Sequence, residues 1–369
     1  MSTTENLDLL RNHTRLIDVR APVEFHQGHI PNSINLPILT DEERHRIGIV
    51  YKQQGNEAAA RVGHKIVSGS VKKERIAGWL KACKDDPHAQ IMCWRGGQRS
   101  NLAQAWLEEA GASQKKVCGG FKALRQICID VLDQPNKNWW LLSGRTGSAK
   151  TVIIRKLANS IDLEGCANHR GSAFGRRLTP QPTPVTFENS LAVDYLNHKY
   201  TDLVVEDESR TIGSLGLPQV WSEHMQSASI ALVEISLGER IAHIEKEYVT
   251  DALVEAKNMG LLPEQIQKNY LDALQRIKRR LGGLRLSEME KRLNQAFAGQ
   301  CSHESWISYL LTEYYDPMYD FQLNNKADRI AFRGDRDSVL GFLKTKETAK
   351  ALPQKSTSGR RTNLLYDSF

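Results

Sequence analysis

Short apolar runs alternate with amphipathic stretches along this chain. Leu16-Ile17-Asp18-Val19, Trp139-Trp140-Leu141-Leu142, Leu203-Val204-Val205 and Ile230-Ala231-Leu232-Val233-Glu234-Ile235 read as short buried strands. Helical stretches separate them, one running through Leu157 and one amphipathic from Leu237 to Tyr248. Such an order implies α/β architecture with mostly parallel sheets. From residue 263 the pattern turns helical: Ile266, Tyr270, Leu274, Ile277 and Leu281 form an apolar stripe, and Lys268, Arg276, Lys278, Arg279, Arg280 and Arg285 occupy the other faces. The polar, proline-bearing link Asp133-Gln134-Pro135-Asn136-Lys137-Asn138 divides the chain into a domain over 10–133 and a second over 134–343. The segment 344–369 lacks apolar periodicity and is expected to be a flexible basic tail.

A length of 369 residues is more than one small core needs and fits two domains. Hydrophobic content of 40% and charged content of 25% are those of a globular protein in water. The six cysteines form no CxxC pair, so the expectation is a reducing compartment without disulfides or zinc. The first residues, MSTTENLDLLRNHTRL, lack the apolar core of a signal peptide, and no run reaches membrane-spanning length. A cytoplasmic protein without a membrane partner is expected. Fifty basic residues against 43 acidic give +7, compatible with a polyanionic partner.

Two stretches carry candidate chemistry. In Cys93-Trp94-Arg95-Gly96-Gly97-Gln98-Arg99-Ser100, a loop wrapped around the cysteine would point its backbone N–H groups at the sulfur. Gly96 and Gly97 permit that wrap, and Arg95 and Arg99 would make the setting electropositive, which suits a nucleophilic cysteine. The Cys-x5-Arg-Ser spacing also matches cysteine phosphatases and some arsenate reductases, although Met92 stands where phosphatases carry histidine. In the other stretch, Gly144-Arg145-Thr146-Gly147-Ser148-Ala149-Lys150-Thr151 follows a strand and opens a helix, matching a phosphate-binding P-loop except that Ala149 replaces the usual glycine. Gly144, Gly147, Lys150 and Thr151 would hold a diphosphate, with the Thr151 hydroxyl able to reach a magnesium ion. Glu206, Asp207 and Glu208 follow an apolar run, where P-loop enzymes place a metal-positioning or acid–base carboxylate.

The stretch from Leu16 to Pro37, with Asp18-Val19-Arg20, Glu24-Phe25, Gly28-His29-Ile30-Pro31 and Asn35-Leu36-Pro37, resembles the rhodanese domain when taken with the Cys93 loop. Val117-Cys118-Gly119-Gly120 resembles the end of that domain. Between these landmarks, Gly48 to Lys65 is an insert richer in polar residues than a simple sulfurtransferase needs. Its Tyr51, Lys52, Gln53, Gln54 and His64 could face RNA or the second domain, but its alanines with Val62, Ile66 and Val67 favour a helix packed on the sheet.

Asp162-Leu163-Glu164-Gly165, Asn168 to Gly175, Glu206 to Arg210 and Glu313 to Tyr319 belong to no general nucleotide-binding pattern. With the Cys93 loop and Tyr51-Lys52-Gln53-Gln54-Gly55, they resemble the tRNA 2-selenouridine synthase family over about residues 15–343, a rhodanese domain fused to a P-loop domain. The resemblance implies replacement of sulfur by selenium at position 2 of the wobble uridine of tRNA. In that family geranyl diphosphate alkylates the sulfur, and selenium from selenophosphate then displaces it. Cys93 would carry the selenium, and the P-loop would hold the diphosphate. No tightly bound cofactor is expected. The partners implied are the anticodon loop of a 2-thiouridine-bearing tRNA, for which Lys268, Arg276, Lys278, Arg279 and Arg280 are candidate contacts, and a selenophosphate-supplying enzyme. Two rival readings stay open: a P-loop kinase or ATPase with a rhodanese regulator, and a simple sulfurtransferase or cysteine phosphatase.

Overall fold

The computed structural model describes residues 2–348. It opens with helix α1 (Ser2–Arg11), which packs on both halves of the molecule, so the first domain begins earlier than residue 10. Strands β1 (Leu16–Asp18), β2 (Ser33–Asn35) and β3 (Gln90–Met92) form a parallel sheet in the order β2-β1-β3. Helices α2 (Pro22–Gln27), α3 (Asp41–Ile66), α4 (Gly69–Asp85), α5 (Gln98–Glu109) and α6 (Gly120–Asp133) surround it.

Helix α3 starts from a reciprocal cap between Thr40 and Glu43, which satisfies two N-terminal donors. It is broken at Gly55, whose φ of 80° is open to glycine, and its second half buries Ala58 and Ala59. The packed-helix expectation for this insert is met on that face, while Tyr51, Lys52 and His64 stay exposed.

The second domain has a parallel sheet in the order β5-β4-β8-β9. It comprises β4 (Asn138–Gly144), β5 (Asp202–Glu206), β8 (Ser229–Val233) and β9 (Ile330–Gly334), with a separate hairpin of β6 (Thr211–Ile212) and β7 (Leu215–Gly216). Helices α7 (Lys150–Ile154), α8 (Leu163–Cys166), α9 (Pro184–Asn197), α10 (Gln219–Ser227) and α17 (Arg336–Lys344) flank these strands. A helical part follows β8: α11 (Leu237–Ile244), α12 (Asp251–Asn258), α13 (Pro263–Leu281), α14 (Gly283–Phe297), α15 (Glu304–Leu310) and α16 (Asp316–Asn324). Its own core includes Tyr270, Leu274, Met289, Leu293 and Trp306.

Three expected boundaries are corrected. Helix α7 stops at Ile154, not Leu157, because the chain must turn to lay residues 159–161 beside β5: Ile161 N–H donates to Val204 and Val204 N–H to Asn159. The helix expected over 237–248 ends at Ile244 and widens into π-helix over Glu245–Thr250. The expected tail at 344–369 is held at its start, since Glu347 accepts from Ala158 N–H and Thr348 from Thr201 N–H; residues 349–369 lie outside the described residues. No described helix is long and apolar enough to cross a membrane.

The two domains share one continuous apolar core, joining Leu10, Ile30, Phe121 and Leu124 to Trp139, Phe187 and Leu191. The Gly28-His29-Ile30-Pro31 turn sits on α9. Thr186 accepts from His29 N–H at 3.2 Å, and the Asn189 amide donates to the His29 carbonyl at 2.8 Å. Arg125 of α6 reaches Asn189 and pairs with Glu188.

Candidate active site

The Cys93 loop runs from the end of β3 to the start of α5, with the sulfur at its base. Cys93 is only 3% exposed, and its Sγ lies 3.2 Å from the Ser100 hydroxyl, a partner without a role in the sequence pattern. The N-terminus of α6 closes the loop from below. Phe121 N–H donates to the Cys93 carbonyl at 2.9 Å and Lys122 N–H to that of Trp94 at 3.0 Å. A Cβ at Gly96 would sit 3.0 Å from Gly119 N and Val117 O, so the two glycine turns fit only because side chains are absent. Gly97 is the N-cap of α5, with open space around it.

The two loop arginines differ. Arg95 is exposed, whereas Arg99 is half-buried and donates to both oxygens of Glu24, at 2.5 and 3.0 Å. Burial would raise the Glu24 carboxyl, but the Arg99 bonds and charge, the Ala21 N–H and Arg44 outweigh it and hold the group below its ordinary value. Arg99 is therefore a fixed part of the loop's wall. Nearby, buried Arg20 pairs with Asp18 at 2.7 Å, donates to the Gly28 carbonyl and lies 3.9 Å over the Phe121 ring, tying the interdomain turn to the floor of the cysteine loop.

The second site is a cleft of about 320 Å³ between the P-loop and the helical part. Lys150 donates to the Gly144 carbonyl at 3.1 Å, and the Thr151 hydroxyl donates to Glu164 at 2.8 Å. Burial alone would lower the Lys150 ammonium, but Tyr319, Glu164, Glu208 and Asp207 raise it, so it keeps its charge. Gly147 has φ 86°, and a Cβ there would meet the Arg240 carbonyl at 2.9 Å. Ala149 takes φ 62°, a left-handed conformation that costs an L-residue about 1–2 kcal/mol. Alanine at that place thus keeps the loop shape at the expense of strain.

The three acids after β5 separate. Glu206 is fully buried and accepts from Leu163 N–H, so its placement beneath the sheet end corrects its expected role in the cleft. Asp207 is engaged by Ser143 and by both bonds from Lys326, at 2.7 and 2.9 Å. Glu208 faces the cleft beside Glu164. Burial and then the Glu164 charge push it up to about 8. Among the described residues no cluster of three or more His, Cys, Asp or Glu could hold a metal.

The sequence pattern set apart Glu164, Arg170, Tyr314, Tyr315 and Tyr319 without a role, and all five line this cleft. Glu247 and Tyr248 also line it, brought there by the π-helix over Glu245–Thr250; a second π-helix, Leu311–Tyr315, brings Tyr314 and Tyr315. Neither widening has a signature in apolar periodicity.

The basic residues of α13 do not share one face. Arg280 lines the cleft, and Arg276 donates to the Ala173 carbonyl at 3.1 Å. All five candidates, Lys268, Arg276, Lys278, Arg279 and Arg280, are exposed. Arg276 and Arg280, four apart on the helix, point the same way, toward Ala173 and the cleft.

Residues 2–126 match the family described as Rhodanese-like domain, and residues 137–350 match the one described as tRNA 2-selenouridine synthase AAA domain. Three similar proteins bear the name tRNA 2-selenouridine synthase. That of Sulfurovum sp. is 43% identical over 91% of this chain and 96% of its own, and that of Shewanella denitrificans 44% identical over 89% and 93%. That of Marinobacter nauticus is 40% identical over 93% and 98%.

Proposed function

The chain belongs to the tRNA 2-selenouridine synthase family, and from that premise we propose that it converts 2-thiouridine at the wobble position of tRNA into 2-selenouridine in two steps at two sites. The observation that carries this reading is the presence in one chain of two separate strand-to-helix loops, one holding Cys93 against Ser100 and one folding Lys150 back on Gly144. In the first step the thiocarbonyl sulfur attacks the first carbon of geranyl diphosphate, the carbon–oxygen bond breaks, and diphosphate leaves with its charge held by the P-loop amides, Lys150 and Arg280. Alkylation matters because a thiocarbonyl sulfur is a poor leaving group.

In the second step selenium bonds to C2 and the alkylated sulfur leaves. With selenophosphate and water as co-reactants, the products are selenouridine, geranylthiol and phosphate, and no electrons are gained or lost. Cys93 marks the place where selenium passes from selenophosphate to C2 at unchanged oxidation state, with Ser100 against its sulfur and Arg99 fixed by Glu24 in the loop's wall. A magnesium ion, if used, would arrive with the diphosphate. Thr151 would offer it a hydroxyl and Glu208 a carboxylate once the ion displaces its proton, a donor set that fits an ion taking most of its ligands from phosphate and water.

Calorimetric titration of geranyl diphosphate tests the first site. A charge-assisted contact contributes about 1.5–3 kcal/mol, so Lys150→Ala is expected to weaken binding roughly 10- to 150-fold. Equal affinity in the two proteins would remove the P-loop from this role.

A further inference from the structure

A cavity of about 670 Å³ lies in the first domain between the two halves of α3 and helix α5. Its wall is largely apolar, formed by Ile38, Leu39, Ile47, Ala60, Leu102 and Trp106. Gln98 and Arg99, the closing residues of the Cys93 loop, belong to the same wall, and so does Glu24, which fixes Arg99. The insert that makes the opposite side exists as a wall because α3 breaks at Gly55 and turns its alanines inward. Nothing in sulfur or selenium transfer by a cysteine calls for an apolar chamber of this size. Its volume falls within the roughly 300–1,000 Å³ of sites that enclose a small organic ligand.

We propose that this cavity receives the apolar chain carried by the nucleobase sulfur while C2 is at Cys93, an inference that rests on the two-step reading above. The chain is attached to the atom that leaves, so when C2 meets selenium the chain must begin next to the Cys93 loop. In water it would expose a branched ten-carbon surface, whereas in the cavity it is buried. Holding the chain also orients the C2–S bond against the incoming selenium. The selenium–C2 bond forms, the C2–S bond breaks, the chain departs as a thiol with one proton, and water takes the phosphoryl group. The apolar space beside the P-loop cannot serve instead. Lined by Phe174, Trp306, Leu310 and their neighbours, it measures about 20 Å³, close to the space of one water molecule.

The test uses the full chain, selenophosphate and two RNA substrates, an anticodon stem-loop bearing S-geranyl-2-thiouridine and the same RNA bearing the S-methyl form. Single-turnover formation of selenouridine is measured for wild type, for Ala60→Trp, which fills the cavity, and for Ile47→Gln, which makes its wall polar at similar size. The wild type is expected to convert the geranyl substrate faster. Ala60→Trp should slow that substrate about tenfold, as displacement of roughly two buried methylenes would, and leave the methyl substrate unchanged. Ile47→Gln should shift the ratio the same way by less. An unchanged geranyl-to-methyl ratio in both variants overturns the proposal. Equal slowing of both substrates also overturns it, because the cavity would then hold the base or support the loop. A wild-type protein that converts neither alkylated RNA takes down the two-step reading together with this inference, whereas conversion without chain preference takes down the inference alone.

Discussion

Glu208 places a proton inside the cleft beside the P-loop. Its folded value near 8 stands above its ordinary 4.5, chiefly through burial and then through Glu164. From about pH 4.5 to about pH 8 the folded chain therefore holds a proton that the unfolded chain has released, so stability declines as pH rises through that window. Removing the titrating group in Glu208→Gln should make the decline shallower, read as the denaturation midpoint at pH 5 against pH 8, an interval of about three units. Parallel declines in the two proteins would show that Glu208 does not hold this proton. The three acids Glu206, Asp207 and Glu208 stand next to one another in sequence, yet only a structure separates them. Their chain order shows a carboxylate at a strand end, but which of them meets Leu163, Lys326 or the cleft depends on residues over 40 to over 100 positions away. The loops that hold Cys93, Lys150 and Thr151 were legible because their backbone shape is written in neighbouring glycines.

Helix α13 is the element whose apolar pattern was read well and whose basic residues divide between two settings. Its apolar stripe is buried as the spacing predicts, including Ile266, Tyr270, Leu274, Ile277 and Leu281. Two of its five candidate basic residues instead serve the second domain itself, as Arg276 on Ala173 and Arg280 in the cleft. Lys268, Lys278 and Arg279 can be replaced without touching those two contacts, and on the proposed reading they would meet RNA. Their joint replacement by glutamine should weaken tRNA binding and flatten its salt dependence by up to about 0.9 logarithmic units per lost phosphate contact, with the B-DNA value as guide. Filter binding across a salt series reads this, and an unchanged slope would place the RNA elsewhere. The shortened α7 and the two π-helices escaped the pattern for a shared reason. In each case tertiary contacts, a chain turn onto β5 or side chains drawn into the cleft, override the periodicity that local sequence supplies.

At the scale of the whole molecule, α/β architecture with mostly parallel sheets could be read from the apolar runs, but not the order of the strands, nor the docking between the domains. It rests on Gly28, where a Cβ would come within 2.6 Å of the Val185 Cβ on α9. Gly28→Ala should destabilise the chain by about 1–3 kcal/mol through overpacking, and Val185→Gly, which removes the opposing Cβ as well, should relieve much of that loss in the double variant. Strict additivity in denaturant unfolding would show that the turn does not press on α9.

This docking fixes the Cys93 loop relative to the P-loop domain, so on the proposed two-step reading one nucleotide must be presented to two sites in turn. Nucleoside analysis of thiolated tRNA treated with Cys93→Ala, geranyl diphosphate and selenophosphate tests that most directly. The account predicts that S-geranyl-2-thiouridine accumulates while selenouridine is absent. Loss of both products in a folded variant, or selenouridine formed without Cys93, would contradict it.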